Sequence, residues 1–250
     1  MSKKIAAGAN KIVLEVTVGS GAFMKTLDKA KELANMMIRI GKLAERETVC
    51  VLTNMDEPIG YSIGNTLEVI EAIKSLKGYM QDDVRDIVLE LGSQMIKLAG
   101  KGDDIEINKK NILENINNGK AYNKFIELVS NQGGNIDFVQ NTEKLKLAKY
   151  KIPVFSDKEG YVKSIDVEKL GKISCDLGAG RLKKEDKIDS QVGIIVKKKV
   201  GDKIDLNEEL AYVYANNLSL GNKAVEEIKK CYNITNEKTE KLKSILGIIK

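Results

Sequence analysis

The sequence contains no histidine and no tryptophan among its 250 residues, and only two prolines and three cysteines. Without an imidazole, the chain cannot itself use histidine as a general acid, a general base or a metal ligand. Serine–histidine and cysteine–histidine nucleophile pairs and histidine-containing zinc sites are excluded for the same reason. Any chemistry on this chain therefore relies on lysine, carboxylate, hydroxyl or backbone groups, or on residues that another chain supplies.

Cysteine pairs, long apolar runs and clustered aromatic residues are also scarce. Cys50, Cys175 and Cys231 are odd in number and form no Cys-x-x-Cys motif, which indicates buried reduced thiols and a cytoplasmic location. No apolar run approaches the roughly 20 residues of a membrane span, so no membrane contact is expected. The net charge of +5 is spread along the chain. The run Lys197–Lys199 lacks interleaved aromatic residues and is interpreted as a solvated turn, so no nucleic-acid partner is expected.

The first half of the sequence alternates strand and helix patterns. An apolar, β-branched run at 11–18 is typical of a strand covered on both faces. Apolar residues then recur at helical spacing from Leu27, with Thr26 as a candidate N-cap. A second short strand at 48–53 completes a strand–helix–strand unit, for which parallel pairing is predicted. Further helices are predicted at about 65–76, 82–98 and 107–117, and from about 121.

The pattern changes near residue 148, where short strands replace long helices. Strands are predicted at 160–166, 192–199 and 209–215, separated by turns. Two helices, at about 222–231 and 239–249, are predicted to follow them. The predicted fold class is α/β: an incomplete parallel-type α/β domain, followed by a small β-rich, barrel-sandwich-like module of α+β type.

The segment Val18–Phe23 (VGSGAF) is a tight turn directly after the first strand. Glycines allow a ligand to approach the backbone closely, and a following helix offers free N–H groups. The segment matches neither GxGxxG nor GxxxxGK[ST], so a nucleotide phosphate site is not indicated. On these residues alone, a structural turn and a ligand-facing loop both remain open.

Three separated blocks of the sequence resemble the pyrimidine-nucleoside phosphorylase (thymidine phosphorylase) family. They are SKKIAAGANKIVLEVTVGSGAFM at 2–24, LTNMDEPIGY at 52–61 with GNTLEV at 64–69, and LGAGR at 177–181. The blocks keep the family's order and spacing, and the likeness runs from Met1 to about residue 216. The resemblance implies an enzyme that converts a pyrimidine nucleoside and phosphate into a free base and pentose 1-phosphate, without an organic cofactor.

The resemblance also implies particular site residues. The first lysine of the Ser-Lys-Lys motif, here Lys3, contacts the base in the family, where an ammonium group can stabilise the charge of the departing pyrimidine. Phe23 corresponds to an apolar wall of the base pocket; a core aromatic packed at a strand–helix turn is the alternative. A potassium-like monovalent cation is implied on the backbone carbonyls of Ile59 and Ser62 and the carboxylate of Glu71. Otherwise, Glu71 is interpreted as an exposed helix residue.

In the family, phosphate is bound by an N-terminal segment with a Lys-His-Ser run and a Gly-rich loop, and this sequence shows no counterpart of either. The predicted domains are a remnant of a helical subdomain at 1–8, the α/β domain at 9–147 and the β-rich module at 148–250. The chain is therefore expected to be the C-terminal part of such an enzyme and inactive alone. A complementing N-terminal chain is a possible partner. The family homodimer is in doubt, because its contact lies in the helical subdomain.

Two other functions stay open on the sequence. One is a non-catalytic binding or structural protein that retains the scaffold. The other is a relative that acts on nucleoside monophosphates instead of nucleosides.

Overall fold

Two kinds of β-sheet organise the fold. The computed structural model describes residues 1–181 and 183–250. A mixed sheet contains, in spatial order, β1 (Lys11–Val18), β2 (Glu47–Asn54) and β10 (Ile245–Ile249). One antiparallel sheet contains β3 (Ser62–Ile63), β6 (Gly193–Val196), β8 (Glu209–Ala215) and β4 (Tyr150–Phe155). The other contains β7 (Lys203–Ile204), β5 (Gly160–Ile165) and β9 (Tyr232–Thr235).

The helices surround these sheets and mostly match the predicted positions. They are α1 (Ser2–Ala6), α2 (Leu27–Leu43), α3 (Asn65–Leu76), α4 (Asp82–Leu98), α5 (Ile105–Asn117), α6 (Lys120–Asn131), α7 (Asp137–Gln140), α8 (Val167–Ser174) and α9 (Leu218–Lys229). Both α3 and α4 have the predicted bounds, and α5 begins two residues before the predicted start. No helix of the described residues combines the length and the apolar character that crossing a membrane requires.

The predicted strand–helix–strand unit is confirmed. β1 and β2 pair in parallel, from Lys11 opposite Glu47 to Val18 opposite Asn54. The connecting helix α2 packs on them through Ala30 and Ala34, which are fully buried. Their small side chains let the helix approach the apolar face of the sheet closely.

The predicted N-cap of α2 is confirmed, because the Lys29 amide donates to the Thr26 hydroxyl at 3.4 Å. We expect Thr26→Ala to lower the free energy of unfolding by about 1 kcal/mol, since one amide of the first turn then has no side-chain acceptor. Urea unfolding of the two proteins measures this difference. Thr26→Ser keeps the hydroxyl and is the control; a loss as large in this variant would show that the cap is not the cause.

The helix predicted at 239–249 is wrong. The structure has strand β10 there, antiparallel to β2, with Ile249 opposite Cys50. An apolar run of five residues carries too little periodicity to separate strand from helix, and the free edge of β2 decides the outcome. The helix predicted at 222–231 begins earlier, at Leu218, because Asn217 caps it by accepting from the Leu220 amide at 3.1 Å.

The β-rich module is confirmed as two antiparallel sheets with their own apolar core. The fully buried side chains of this core are Val154, Val162, Leu170, Val192, Ile194, Ile204, Ala211, Val213 and Ile228. Two glycines allow β3 to lie against β6 at close range. A Cβ on Gly64 would lie 2.6 Å from the Val192 oxygen, and one on Gly193 would lie 2.3 Å from the Ile63 oxygen.

The cysteines are free thiols. Cys50 and Cys231 are buried, as the sequence predicts, and burial raises the pKa of each thiol to about 11. Cys175 is half-buried, so the prediction of a buried thiol does not hold for it. The two buried thiols stay protonated at neutral pH and act as small apolar side chains.

Candidate functional site

The two loops that leave the carboxyl ends of β1 and β2 lie against each other. The Gly21 amide donates to the Met55 oxygen at 2.9 Å, and the Ser20 amide donates to the Asp56 carboxylate at 2.7 Å. Ligands of α/β proteins bind outside the carboxyl ends of parallel strands. This edge of the sheet is therefore where a site is expected.

The VGSGAF turn has a clear structural role. Gly19 has a φ of +133°, and a Cβ there would lie 2.6 Å from the Asp56 amide nitrogen. A Cβ on Gly21 would lie 2.6 Å from a methyl group of Val167, at the start of α8. Both glycines are thus required for packing.

The structure places Lys3 and Phe23 on the surface. Lys3 lies on the short helix α1 and is exposed. Phe23 is 98% exposed, so its interpretation as a core aromatic is wrong. An exposed ring beside the carboxyl edge of the sheet is available to a ligand or to another segment. The base-binding roles of both residues remain predictions.

Ile59, Ser62 and Glu71, the three residues of the predicted cation site, line one cavity of about 760 Å³. Glu71 is half-buried, and the loop before α3 curls around its carboxylate. The Tyr61 and Ser62 amides donate to its two oxygens at 2.9 and 3.0 Å. Gly60, with a φ of +68°, leaves the space for this contact, since its Cβ would lie 2.7 Å from a Glu71 oxygen. Glu71 is therefore not a freely exposed helix residue.

The residues from Met55 to Tyr61, called the cation loop below, have further anchors. The Gly60 amide donates to Asp83 at 2.8 Å, and the Lys199 ammonium donates to the Pro58 oxygen at 2.8 Å and pairs with Asp83. Lys199 is only 8% exposed, so the interpretation of Lys197–Lys199 as a solvated turn is wrong at this position. The cation loop is held from both halves of the chain.

Glu57 is a half-buried residue in the same loop. The Val200 amide donates to it at 2.9 Å. Burial raises the pKa of the Glu57 carboxyl above its ordinary value, although the Lys199 ammonium and the Val200 amide oppose that rise. Glu57 thus links the cation loop to the segment that follows Lys199.

The remaining cavity wall is mainly apolar, with Met55, Ile63, Met80, Val84 and Ile116 among its side chains. The buried Ser75 hydroxyl also lines it and has no hydrogen-bond partner among the described residues. Within those residues, no group of three or more histidine, cysteine or acidic side chains could hold a metal ion. One carboxylate with backbone carbonyls is instead the oxygen donor set that suits a hard cation of low charge.

Two family models match successive parts of the chain. The glycosyl transferase family a/b domain matches residues 1–122, and the pyrimidine nucleoside phosphorylase C-terminal domain matches residues 161–235. The pyrimidine-nucleoside phosphorylase of Bacillus subtilis (strain 168) is 48% identical over 216 residues, which cover 86% of this chain and 50% of that protein. The chain belongs to the pyrimidine-nucleoside phosphorylase family.

A pyrimidine-nucleoside phosphorylase of Staphylococcus aureus (strain USA300) is 47% identical over 216 residues, with the same shares of both chains. The chain spans about half the length of these relatives. The match to the glycosyl transferase family a/b domain covers Lys3, Phe23 and the three cation-site residues. The match to the pyrimidine nucleoside phosphorylase C-terminal domain covers Lys199.

The sequence did not indicate two residues of the site, Asp83 and Lys199. Asp83 has the pattern of an ordinary acidic residue in the first turn of a helix, and Lys199 that of one member of a charged run. They meet although 116 residues separate them. Neither composition nor spacing indicates such a pair, because the contact exists only after β6 has docked on β3.

Proposed function

We propose that this chain supplies the base-binding and cation-binding part of an enzyme that converts a pyrimidine nucleoside and phosphate into a free base and pentose 1-phosphate. The observation that carries this proposal is the convergence of Ile59, Ser62 and Glu71 on one cavity at the carboxyl edge of the sheet. The relatives named pyrimidine-nucleoside phosphorylase support the choice of reaction.

The proposed reaction needs a charged donor at the base and no organic cofactor. The bond between the pyrimidine nitrogen and the anomeric carbon breaks, and its electron pair stays on the base. A phosphate oxygen bonds to the anomeric carbon, and the base takes up the proton that the hydrogen phosphate loses. The Lys3 ammonium stabilises the negative charge that develops on the base. The Phe23 ring forms an apolar wall beside the base.

The proposed cation has a structural task. A potassium-like ion on the Ile59 and Ser62 carbonyls and the Glu71 carboxylate links the cation loop to α3. The ion places positive charge next to the Glu71 carboxylate and takes part in no redox or acid–base step. Its binding therefore stabilises the folded chain, which can be measured without any turnover.

We expect potassium to raise the melting temperature of the chain more than choline does at equal ionic strength. Potassium at ten times its Kd adds about 1.4 kcal/mol to the free energy of unfolding. Glu71→Gln should abolish this increment, because the side-chain amide carries no charge and sets a donor against a backbone N–H group. Thermal unfolding followed by circular dichroism measures both effects.

Glu68→Gln is the matched control. Glu68 lines the same cavity and accepts from the Gly64 amide at 2.9 Å, an interaction that a glutamine oxygen can keep. Its potassium increment should equal that of the wild type. Equal melting temperatures of the wild type in potassium and in choline would refute the cation site.

A further inference from the structure

Lys199 is buried beside the cation loop although it belongs to the C-terminal half of the chain. Its ammonium group donates to the Pro58 oxygen, pairs with Asp83 and lies 5.0 Å from the centre of the Tyr61 ring. A buried ammonium group is strongly destabilising unless charge and hydrogen bonds compensate it. Here a carboxylate, a carbonyl and an aromatic face all do so, which fixes the group in one position.

The ion pair of Lys199 with Asp83 lies where it can fix the direction of the Ile59 carbonyl. The peptide between Ile59 and Gly60 is trans and planar, so its C=O and N–H groups point in opposite directions. Because the Gly60 N–H points at Asp83, the Ile59 carbonyl points away from Asp83. The preceding peptide is fixed as well, since its Pro58 oxygen is bound by Lys199.

Other groups fix the far end of the loop without Lys199. The Tyr61 and Ser62 amides are held by Glu71, and the Tyr61 oxygen accepts from the Val196 amide at 2.8 Å. The stretch from Pro58 to Gly60 depends instead on the Lys199–Asp83 pair. If Lys199 is removed, Asp83 loses its ion-pair partner.

We propose that Lys199 is a positioning residue of the cation site, which acts through Asp83 and the Gly60 amide to orient the Ile59 carbonyl. The proposal rests on the cation site of the proposed function. Lys199 does not bind the ion itself. It makes cation affinity depend on the docking of the C-terminal module, because the lysine lies between β6 and β7 of that module.

The test is the half-saturating potassium concentration, taken from the melting temperature of the whole chain in potassium and in choline. Lys199→Met removes the charge and keeps most of the stem, and we expect it to raise that concentration at least tenfold. Lys197→Met is the matched control: Lys197 is exposed in the same run and lies 5.9 Å from the Tyr212 ring. The half-saturating potassium concentration of Lys197→Met should equal that of the wild type.

A second measurement separates this proposal from the cation site. Amide hydrogen exchange without potassium should become faster at Gly60 in Lys199→Met, while the Glu71-bound amides of Tyr61 and Ser62 keep their protection. Lys199 and Asp83 act through one contact. The effect of a Lys199→Met/Asp83→Asn double substitution on Gly60 exchange should therefore be smaller than the sum of the effects of the two single substitutions.

The outcomes are distinguishable. Unchanged potassium titration in folded Lys199→Met overturns the positioning role, and so does unchanged Gly60 exchange. If the wild type shows no potassium-specific increment, the cation site fails, and the Gly60 exchange alone then decides whether Lys199 orients the loop. Should Lys199→Met not fold, Lys199→Gln, which can still donate to Pro58, is judged by the same criteria.

Discussion

The 250-residue chain, purified alone, is expected to release no free base from thymidine or uridine in the presence of phosphate. The resemblance places the family's phosphate-binding residues in a segment without counterpart here, and the chain has no histidine to replace the one in that segment. Without an oriented phosphate, the effective concentration of the nucleophile is lost. Enzymes accelerate reactions by about 10⁶-fold or more, so the rate should fall to the background. Separation of base and nucleoside by chromatography measures it.

Complementation provides the positive control. The half of the Bacillus subtilis relative that this chain does not match, refolded together with the chain, is expected to restore turnover. In the restored enzyme, Lys3→Met should lower kcat at least about 100-fold, the usual loss when one charge-stabilising donor is removed. Lys4→Met, its exposed neighbour, should not. Turnover by the chain alone would contradict the proposal, and turnover of nucleoside monophosphates only would favour the alternative substrate.

The second large effect is expected from Gly193→Ala, which should lower the free energy of unfolding by about 3 kcal/mol. Gly193 has a φ of +155°, and the added Cβ would lie 2.3 Å from the Ile63 oxygen. That oxygen belongs to β3, which pairs with β6, so it cannot move away without breaking the pairing. Urea unfolding measures the loss, and the cation loop that ends in β3 should exchange its amides faster.

Gly171→Ala is the control for this substitution. Gly171 lies within α8, and a Cβ there would have no neighbouring heavy atom within 4 Å. An alanine in a helix stabilises by about 0.5–1 kcal/mol relative to glycine. The two variants should thus change stability in opposite directions. A Gly193→Ala protein as stable as the wild type would show that β3 and β6 do not approach as closely as described.

Sequence alone predicted the elements whose signals are local. The helices α3 and α4 were predicted at their observed bounds, and α2 followed from apolar spacing and the Thr26 cap. β10 could not be predicted in this way, because its five residues form a strand only through the edge of β2. The residues next to β10 in sequence do not indicate that it pairs with the edge of β2.

The residues of the candidate site also fall into those that the sequence indicated and those that it did not. Ile59, Ser62 and Glu71 were found by resemblance, and the structure gathers them in one cavity. Lys199 and Asp83 were missed, because each looks like a solvated charge in its own segment. Lys199 becomes buried only when distant strands dock, and the Lys199–Asp83 pair can be recognised only in the folded structure. For Phe23, the structure removes the core alternative, and its contact with the base remains a prediction.

The position of β10 has a consequence for how the chain folds. The strands of the two antiparallel sheets, β3 to β9, all lie between β2 and β10 in sequence, so they form an insertion between two strands of the mixed sheet. Pairing of Cys50 with Ile249 closes a loop of nearly two hundred residues. Contacts of such long range slow folding, because the entropy of loop closure precedes the energy of pairing. The third strand of the mixed sheet is thus expected to dock last during synthesis, after the inserted module has formed its own core.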